Sequence, residues 1–167
     1  TAAMPSGTGM NIPMEVFPGR FWDVAIAEQH AVTSVGALAK EGFKPFCAIY
    51  STFLQRGFDQ IIHDVCLMDL PVVFAIDRAG IVGEDGETHQ GAFDISYLRP
   101  IPNMTLLAPY NPTTFALALE FAAAYQHPCA IRYPRGAFMA SDASTIPYEL
   151  GVGEILHEGN SEVALIG

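Results

Sequence analysis

A continuous apolar run at residues 71–77, PVVFAID, constrains the fold of this chain more than any other segment. A strand with one face in water alternates apolar and polar residues, whereas an unbroken apolar run predicts a strand covered on both faces. Strands of this kind form parallel sheets with helices packed on both sides. Residues 71–77 therefore predict a central strand of an α/β domain.

Strands and helices are predicted to alternate around this run. The other strands, predicted from apolar, aromatic and β-branched content, are 21–26, 44–50, 104–110 and 129–134. The helices are predicted at 27–41, from Thr52 through Val65, and at 111–125. This alternation predicts a doubly wound, mainly parallel sheet with helices on both faces.

Two helix starts carry capping signals. Asn111 followed by Pro112 is typical of an N-cap residue and the first helical position. Thr52 and Gln55 have the spacing of a capping box. In the helix that Thr52 would begin, the residues predicted to face the core are Leu54, Phe58, Ile61, Ile62 and Val65.

The chain is expected to divide into three parts. Residues 1–135 form the α/β domain, and 136–150, rich in Ser, Ala, Pro and Asp without periodicity, form a linker. Residues 151–167 are expected to begin a further domain. Because the sequence starts in a loop-like stretch and ends in a strand-like one, we expect it to be part of a longer protein.

Composition excludes several classes of partner. Eight Lys and Arg against 18 Asp and Glu give a net charge of −10, which opposes attraction to nucleic acid or to an anionic membrane. No apolar run approaches the roughly 20 residues that a membrane span needs. The three cysteines lie far apart in apolar contexts without ligand spacing, so we expect core residues in a reducing compartment and no metal site.

A polar, glycine-rich segment, RAGIVGEDGETHQG, follows the central strand directly. In open parallel sheets, ligands bind beyond the carboxyl ends of the strands. Four polar residues end or follow predicted strands and are expected to share this edge, namely Glu28, Tyr50, Arg78 and Arg135. The sequence therefore predicts a ligand site there.

Three residues before this segment allow two interpretations each. Glu28 is either a charge that favours a helix N-terminus or a carboxylate in a cleft that shares a proton with a ligand nitrogen. Arg56 either forms a solvated pair with Asp59 or lines a site. Phe53 is either core packing or a contact for a ligand.

The glycine-rich segment lacks the sequence motifs of an EF-hand and of a phosphate-binding P-loop. Its single histidine gives little support for a metal site. It is either a polar surface loop or a site where His89, near Asp85, transfers protons at neutral pH. The scarce arginines Arg78, Arg135 and Arg132 either pair with the surplus carboxylates or, at strand ends, clamp a phosphate.

Four stretches together resemble a known family. They are RFWDVAIAEQHAV, KPFCAIYSTFLQRGFDQIIHDV, LPVVFAIDRAGIVGEDGETHQGAFD and IRYPRG, in this order, and they cover residues 20–136. They are similar to the pyrimidine-binding domain of the 1-deoxy-D-xylulose-5-phosphate synthase family, thiamine-diphosphate enzymes of the transketolase superfamily. The resemblance implies condensation of pyruvate with glyceraldehyde 3-phosphate, with loss of carbon dioxide, in isoprenoid precursor synthesis.

The resemblance also implies roles for the cofactor-binding residues. Glu28 matches the glutamate that hydrogen-bonds the aminopyrimidine of thiamine diphosphate and promotes its imino tautomer. Phe53 matches the aromatic residue that packs on the pyrimidine, and Arg56 matches an arginine that lines the same pocket.

A second group of residues is implied to hold the substrates. Tyr50, Arg78 and Arg135 match residues that bind the phosphate of the acceptor aldehyde. Asp85 matches a contact to a substrate hydroxyl, and His89 matches a residue that exchanges protons with the reacting centre.

The resemblance does not extend to one motif of the superfamily. The superfamily's GDG and asparagine motif, which binds diphosphate and magnesium, is absent from this sequence. Mg²⁺ is therefore expected on an N-terminal domain outside it, and the segment alone is expected to be inactive. The resemblance implies a homodimeric full-length protein in a bacterial cytoplasm or a plastid. Transketolase, a 2-oxo-acid dehydrogenase β-subunit and a non-catalytic interaction module with the same fold are the alternatives.

Overall fold

The computed structural model describes residues 1–138, 146–152, 155, 158–160 and 162–163. These residues form a four-stranded sheet whose strands all run parallel, in the spatial order β1-β2-β4-β3. The strands are β1 (Phe46–Tyr50), β2 (Val73–Asp77), β3 (Thr105–Leu107) and β4 (Cys129–Arg132). The predicted central strand is confirmed as β2, which pairs with β1 on one side and β4 on the other.

The helices are α1 (Asn11–Val16), α2 (Glu28–Lys40), α3 (Ser51–Leu54), α4 (Phe58–Gln60), α5 (Asp94–Leu98) and α6 (Pro112–Ala124). A 3₁₀ turn (Gln55–Gly57) joins α3 to α4, and a π-helical stretch (Ile61–Cys66) continues α4, so that 51–66 is one irregular helical segment. The short helices α1 and α5 were not predicted from the sequence.

Hydrophobic cores lie on both faces of the sheet. Helix α2 and the helical segment 51–66 cover one face, where Val32 and Phe74 are fully buried. Helix α6 covers the other face, where Ala118 packs with Ile131 of β4. Each large apolar side chain buried in this way stabilises the fold by about 1.5–3 kcal/mol. The two cores confirm the predicted doubly wound α/β fold.

The predicted strand at 21–26 is wrong. Its residues run as irregular backbone whose hydrogen bonds go to the start of the chain, because Thr1 donates to the Trp22 carbonyl over 2.8 Å and Val24 donates to the Thr1 carbonyl over 3.0 Å. Ala25 has a φ of +59°, in the left-handed region, which ends the extended path. The aromatic side chain of Trp22 is 62% exposed, so aromatic content here does not reflect a buried strand.

One of the two predicted capping signals is confirmed. Asn111 accepts a hydrogen bond from the Thr114 amide over 2.8 Å and caps α6, with Pro112 at the first position. The capping box at Thr52 is wrong, since α3 already begins at Ser51. The Thr52 hydroxyl instead donates to the Thr88 carbonyl over 3.1 Å and ties α3 to the glycine-rich segment.

The inward face of segment 51–66 was predicted with one error. Leu54, Ile61 and Val65 are buried and Ile62 is half-buried, as expected. Phe58 is 39% exposed and meets Tyr97 edge-on, with 5.5 Å between ring centroids. The reason is that the 3₁₀ turn and the π-helical stretch break the regular 3.6-residue period on which the prediction rests.

The predicted linker at 136–150 and the predicted start of a further domain at 151–167 fall partly outside the described residues. The positions outside are 139–145, 153–154, 156–157, 161 and 164–167. The division of the chain into domains therefore stays a prediction.

Candidate active site

Polar and charged residues gather at the carboxyl ends of the strands. Tyr50 is the last residue of β1, Asp77 is the last residue of β2, and Arg78 follows directly. A cavity of about 360 Å³ opens at this edge, and its lining includes Asp77, Arg78, Arg135 and residues 7–9. This volume suits a small ligand, and the position is the one expected for a parallel sheet.

The three residues predicted to bind the cofactor lie together. Glu28, the first residue of α2, is only 2% exposed, and its Oε1 accepts a hydrogen bond from Arg56 Nη1 over 3.1 Å. The Arg56 guanidinium also lies 5.4 Å from the centre of the Phe53 ring. Arg56 is therefore not the partner of Asp59, which lies 3.8 Å from His63 instead. A carboxylate this deeply buried is more than a solvated charge at a helix end.

An aromatic group connects this cluster to the glycine-rich segment. The Phe53 ring stacks on Tyr50 with a centroid distance of 5.6 Å and an interplanar angle of 11°. His89 meets Phe53 edge-on at 5.3 Å, and its Nδ1 lies 2.8 Å from the Thr88 hydroxyl. His89 is thus held beside the aromatic pair, close to both groups of predicted site residues.

Arg78 is the most constrained cation of the site. Its Nε donates to Asp85 over 2.8 Å, and its Nη1 donates to Asp77 over 3.0 Å and to the Gly7 carbonyl over 2.9 Å. The guanidinium lies 3.9 Å from the centre of the Tyr50 ring, within the range of a cation–π interaction. Burial raises the pKa of Asp77, and the adjacent Arg78 charge opposes that rise.

Arg135 joins the same network. Its Nε lies 3.2 Å from Asp85 and its Nη1 donates to Glu84 over 3.1 Å, so Asp85 bridges Arg78 and Arg135. Arg132 instead pairs at two points with the buried Asp94. Arg78 and Arg135, the two arginines predicted to hold a phosphate, therefore both have carboxylate partners. A phosphate bound here would compete with Asp85 and Glu84 for these guanidinium groups.

The glycine-rich segment is held in place by its own backbone and by several side chains, of which Gln90 lies within the segment itself. Gly80 and Gly91 exchange two N–H to carbonyl hydrogen bonds of 2.8 Å at its base. The Gln90 amide accepts from the Val82 N–H over 3.0 Å and donates to the Gly86 carbonyl over 2.8 Å. These bonds fix the positions of the carboxylates and the histidine between them.

The described residues contain no group of three or more His, Cys, Asp or Glu side chains placed to hold a metal ion. Within the same part of the chain, no helix is both long and apolar enough to cross a membrane.

Comparison with known proteins decides the family. The family model described as "Transketolase, pyrimidine binding domain" matches residues 1–140. The chain belongs to this family. The resemblance seen in the sequence motifs is thereby confirmed.

Sequence relatives of this pyrimidine-binding domain match it over its whole length. The chain is 70% identical to a 1-deoxy-D-xylulose-5-phosphate synthase of Aliarcobacter butzleri, 66% identical to that of Sulfurimonas denitrificans and 60% identical to that of Campylobacter jejuni. Each match covers 100% of this chain and 27% or 28% of the relative. The chain therefore spans somewhat more than a quarter of the length of these curated relatives.

A solved structure supports the fold of the pyrimidine-binding domain. A split-gene transketolase, described as an inactive β4 tetramer, superposes with a TM-score of 0.82 at 29% identity. The match covers 95% of this chain and 51% of that one.

Some residues of the site were not predicted from the sequence. Asp77 ends the apolar run and is the polar signal that could have been noticed. Gln90 and Gly7 have no comparable signal, because their contribution is made through hydrogen bonds that only the folded chain brings about.

Proposed function

We propose that this pyrimidine-binding domain is part of a 1-deoxy-D-xylulose-5-phosphate synthase, a transferase that condenses pyruvate with glyceraldehyde 3-phosphate and releases carbon dioxide. The identity of 60–70% to synthases over the whole chain supports this assignment. The observation that carries it is the buried Glu28 carboxylate, paired with Arg56 beside the Phe53 ring.

The chemistry of these three residues fits an aminopyrimidine. The Glu28 carboxylate is a buried acceptor for a ring or amino N–H, Phe53 offers an aromatic surface, and Arg56 balances the buried charge. In this proposal, Glu28 holds a proton at the pyrimidine and favours its imino tautomer. Thiamine diphosphate, when bound, supplies the nucleophilic carbon and the electron sink.

The arginine network fits the acceptor. We propose that Arg78, Arg135 and Tyr50 bind the phosphate of glyceraldehyde 3-phosphate, since guanidinium groups match phosphate geometry and both lie at the cavity. Asp85, placed between the two arginines, would contact a substrate hydroxyl. His89 would exchange a proton with the reacting centre from its place beside Phe53.

The remaining parts of the active site are proposed to lie on other parts of the synthase. Residues 1–135 would be the pyrimidine-binding domain, 136–150 a linker, and 151–167 the start of the next domain. Mg²⁺ and the diphosphate would be bound by a separate N-terminal domain. The full-length protein would be a homodimer, in the cytoplasm of a bacterium or in a plastid. The split-gene transketolase described as inactive in its β4 form supports a site that needs a second component.

A comparison of substrates tests the proposal. The full-length protein, with thiamine diphosphate and Mg²⁺, should release carbon dioxide from pyruvate and form the five-carbon product only when glyceraldehyde 3-phosphate is present. A need for a lipoyl partner would favour a 2-oxo-acid dehydrogenase β-subunit. Transfer of a two-carbon unit from a ketose phosphate would favour transketolase, and no turnover would favour an interaction module.

A further inference from the structure

A turn near the start of the chain lies against the arginine network. We call residues 4–10 the N-terminal turn. The Thr8 amide and hydroxyl both donate to the Met4 carbonyl, over 3.0 and 2.8 Å, and Gly9 has a φ of +72°. Thr8 is 7% exposed, so this residue of the turn is packed into the domain. Residues 7–9 form one wall of the cavity.

One hydrogen bond and the lack of space for a side chain place Gly7 at the predicted phosphate site. Its carbonyl oxygen accepts the 2.9 Å hydrogen bond from Arg78 Nη1. A Cβ atom at position 7 would lie 1.8 Å from the Tyr50 hydroxyl oxygen and 2.9 Å from the Tyr50 Cζ. The Gly7 backbone therefore occupies the space directly beside the tip of Tyr50, and a larger residue cannot be accommodated unless Tyr50 or the turn moves.

The Tyr50 hydroxyl is unusual in this position. Tyr50 is 1% exposed, and its hydroxyl has no hydrogen-bond partner within the described part of the chain. Burial raises the pKa of this hydroxyl, so it stays protonated and can act as a donor. A buried donor left without an acceptor costs free energy unless a ligand supplies one.

From these contacts we infer that Gly7 is a positioning residue for the acceptor phosphate, holding Arg78 through its carbonyl and leaving room for the Tyr50 hydroxyl. The inference rests on the proposed synthase function. It adds a backbone contribution from a segment 71 positions away from Arg78 in the sequence. Gly7 acts through Tyr50 and Arg78, and not by contact with the reacting atoms.

The test uses the full-length protein with a Gly7→Ala substitution. The Michaelis constant for glyceraldehyde 3-phosphate should rise at least about tenfold, as expected when a hydrogen bond to a charged group is lost. The rate with unphosphorylated glyceraldehyde and the affinity for thiamine diphosphate should change less than about twofold, since neither uses the phosphate contacts. Gly159→Ala is the matched control, because a Cβ at position 159 meets nothing within 4 Å.

A second variant separates positioning from a general loss of structure. In a Tyr50→Phe background the closest clash is absent, so Gly7→Ala should raise the same constant by less than about threefold. If the single variant does not fold, folding of the double variant would support the contact, and failure of both would overturn the inference.

Equal effects on phosphorylated and unphosphorylated acceptors, or the same factor in both backgrounds, would also overturn it. Failure of the proposed function would look different, because the unsubstituted protein would then form no product from pyruvate and glyceraldehyde 3-phosphate.

Discussion

Glu28 is buried at the start of a helix, where its carboxylate pairs with the half-exposed Arg56. Burial of a carboxylate is costly unless it is paired, and one hydrogen bond at 3.1 Å leaves acceptor capacity for a ligand. This capacity is the physical basis for proposing that the pyrimidine binds at Glu28.

Replacement of this carboxylate tests the assignment. Glu28→Ala in the full-length protein should lower kcat by about 10²–10⁴-fold, the usual contribution of a proton-transferring group. Folding should be nearly unchanged, because Arg56 is half-exposed and can be solvated. The control is Glu41→Ala, at the exposed end of the same helix. Full activity of the Glu28 variant, measured by product formation, would refute the role.

Glu84 allows a test of the charges around the clamp. The Glu84 side chain is 85% exposed, and its carboxylate accepts a hydrogen bond from Arg135 Nη1. Arg135 is also proposed to donate to the substrate phosphate. Glu84→Gln should therefore lower the Michaelis constant for glyceraldehyde 3-phosphate by about two- to fivefold, the range of an exposed ion pair. Glu87→Gln, on the same segment, should leave the constant unchanged. A constant that rises in the Glu84 variant would mean that Glu84 positions Arg135 instead of competing for it.

At the scale of elements, two helices set the distance between Glu28 and its neighbours. Helix α2 carries Glu28, and the helical segment 51–66 carries Phe53 and Arg56. They approach closely at Gly36, where a Cβ atom would lie 2.6 Å from the Asp64 carbonyl oxygen. The π-helical stretch contains Asp64, so the missing side chain at Gly36 is what lets this irregular turn pack closely against α2.

Gly36→Ala should destabilise the domain. Alanine gains about 1 kcal/mol in helix propensity, but overpacking against a backbone atom costs about 1–3 kcal/mol, and the carbonyl oxygen of a helix cannot rotate away. The free energy of unfolding should therefore fall, as measured by urea denaturation of the full-length protein. Ser34→Ala on the same helix should change it by no more than about 0.5 kcal/mol. A more stable Gly36 variant would show that the two helices can separate without loss.

The strands and long helices could be predicted because their signals are local. The apolar run at 71–77 and the cap at Asn111 need only neighbouring residues to be recognised. The segment 21–26 has a similar composition, but its backbone hydrogen bonds go to the start of the chain. Composition alone therefore predicted a strand that does not form. Thr52 has capping chemistry, yet the fold brings the Thr88 carbonyl to it.

The part of the candidate site that lies at strand ends could also be predicted. Residues at strand ends share one edge in any parallel sheet, which is why Tyr50, Arg78 and Arg135 were expected together. The bridge that Asp85 makes between the arginines depends on loop geometry that no local pattern encodes. The contact of Gly7 depends on a distant segment and was equally beyond sequence reasoning.

At the scale of the whole molecule, we propose that the described residues carry one side of a cofactor site. Glu28, Phe53 and Arg56 offer contacts for a pyrimidine, and the sequence lacks the GDG and asparagine motif that the resemblance associates with diphosphate and Mg²⁺. The curated relatives are more than three times as long as this chain. We therefore propose that catalysis requires the remaining domains.

The measurement that tests this most directly is product formation by the purified 1–167 chain, alone and beside the full-length protein, at equal concentrations with thiamine diphosphate, Mg²⁺, pyruvate and glyceraldehyde 3-phosphate. Circular dichroism should first establish that the short chain is folded. The full-length protein should form 1-deoxy-D-xylulose 5-phosphate and carbon dioxide in equal amounts, while the folded 1–167 chain forms neither. Product formed by the 1–167 chain alone would contradict the account.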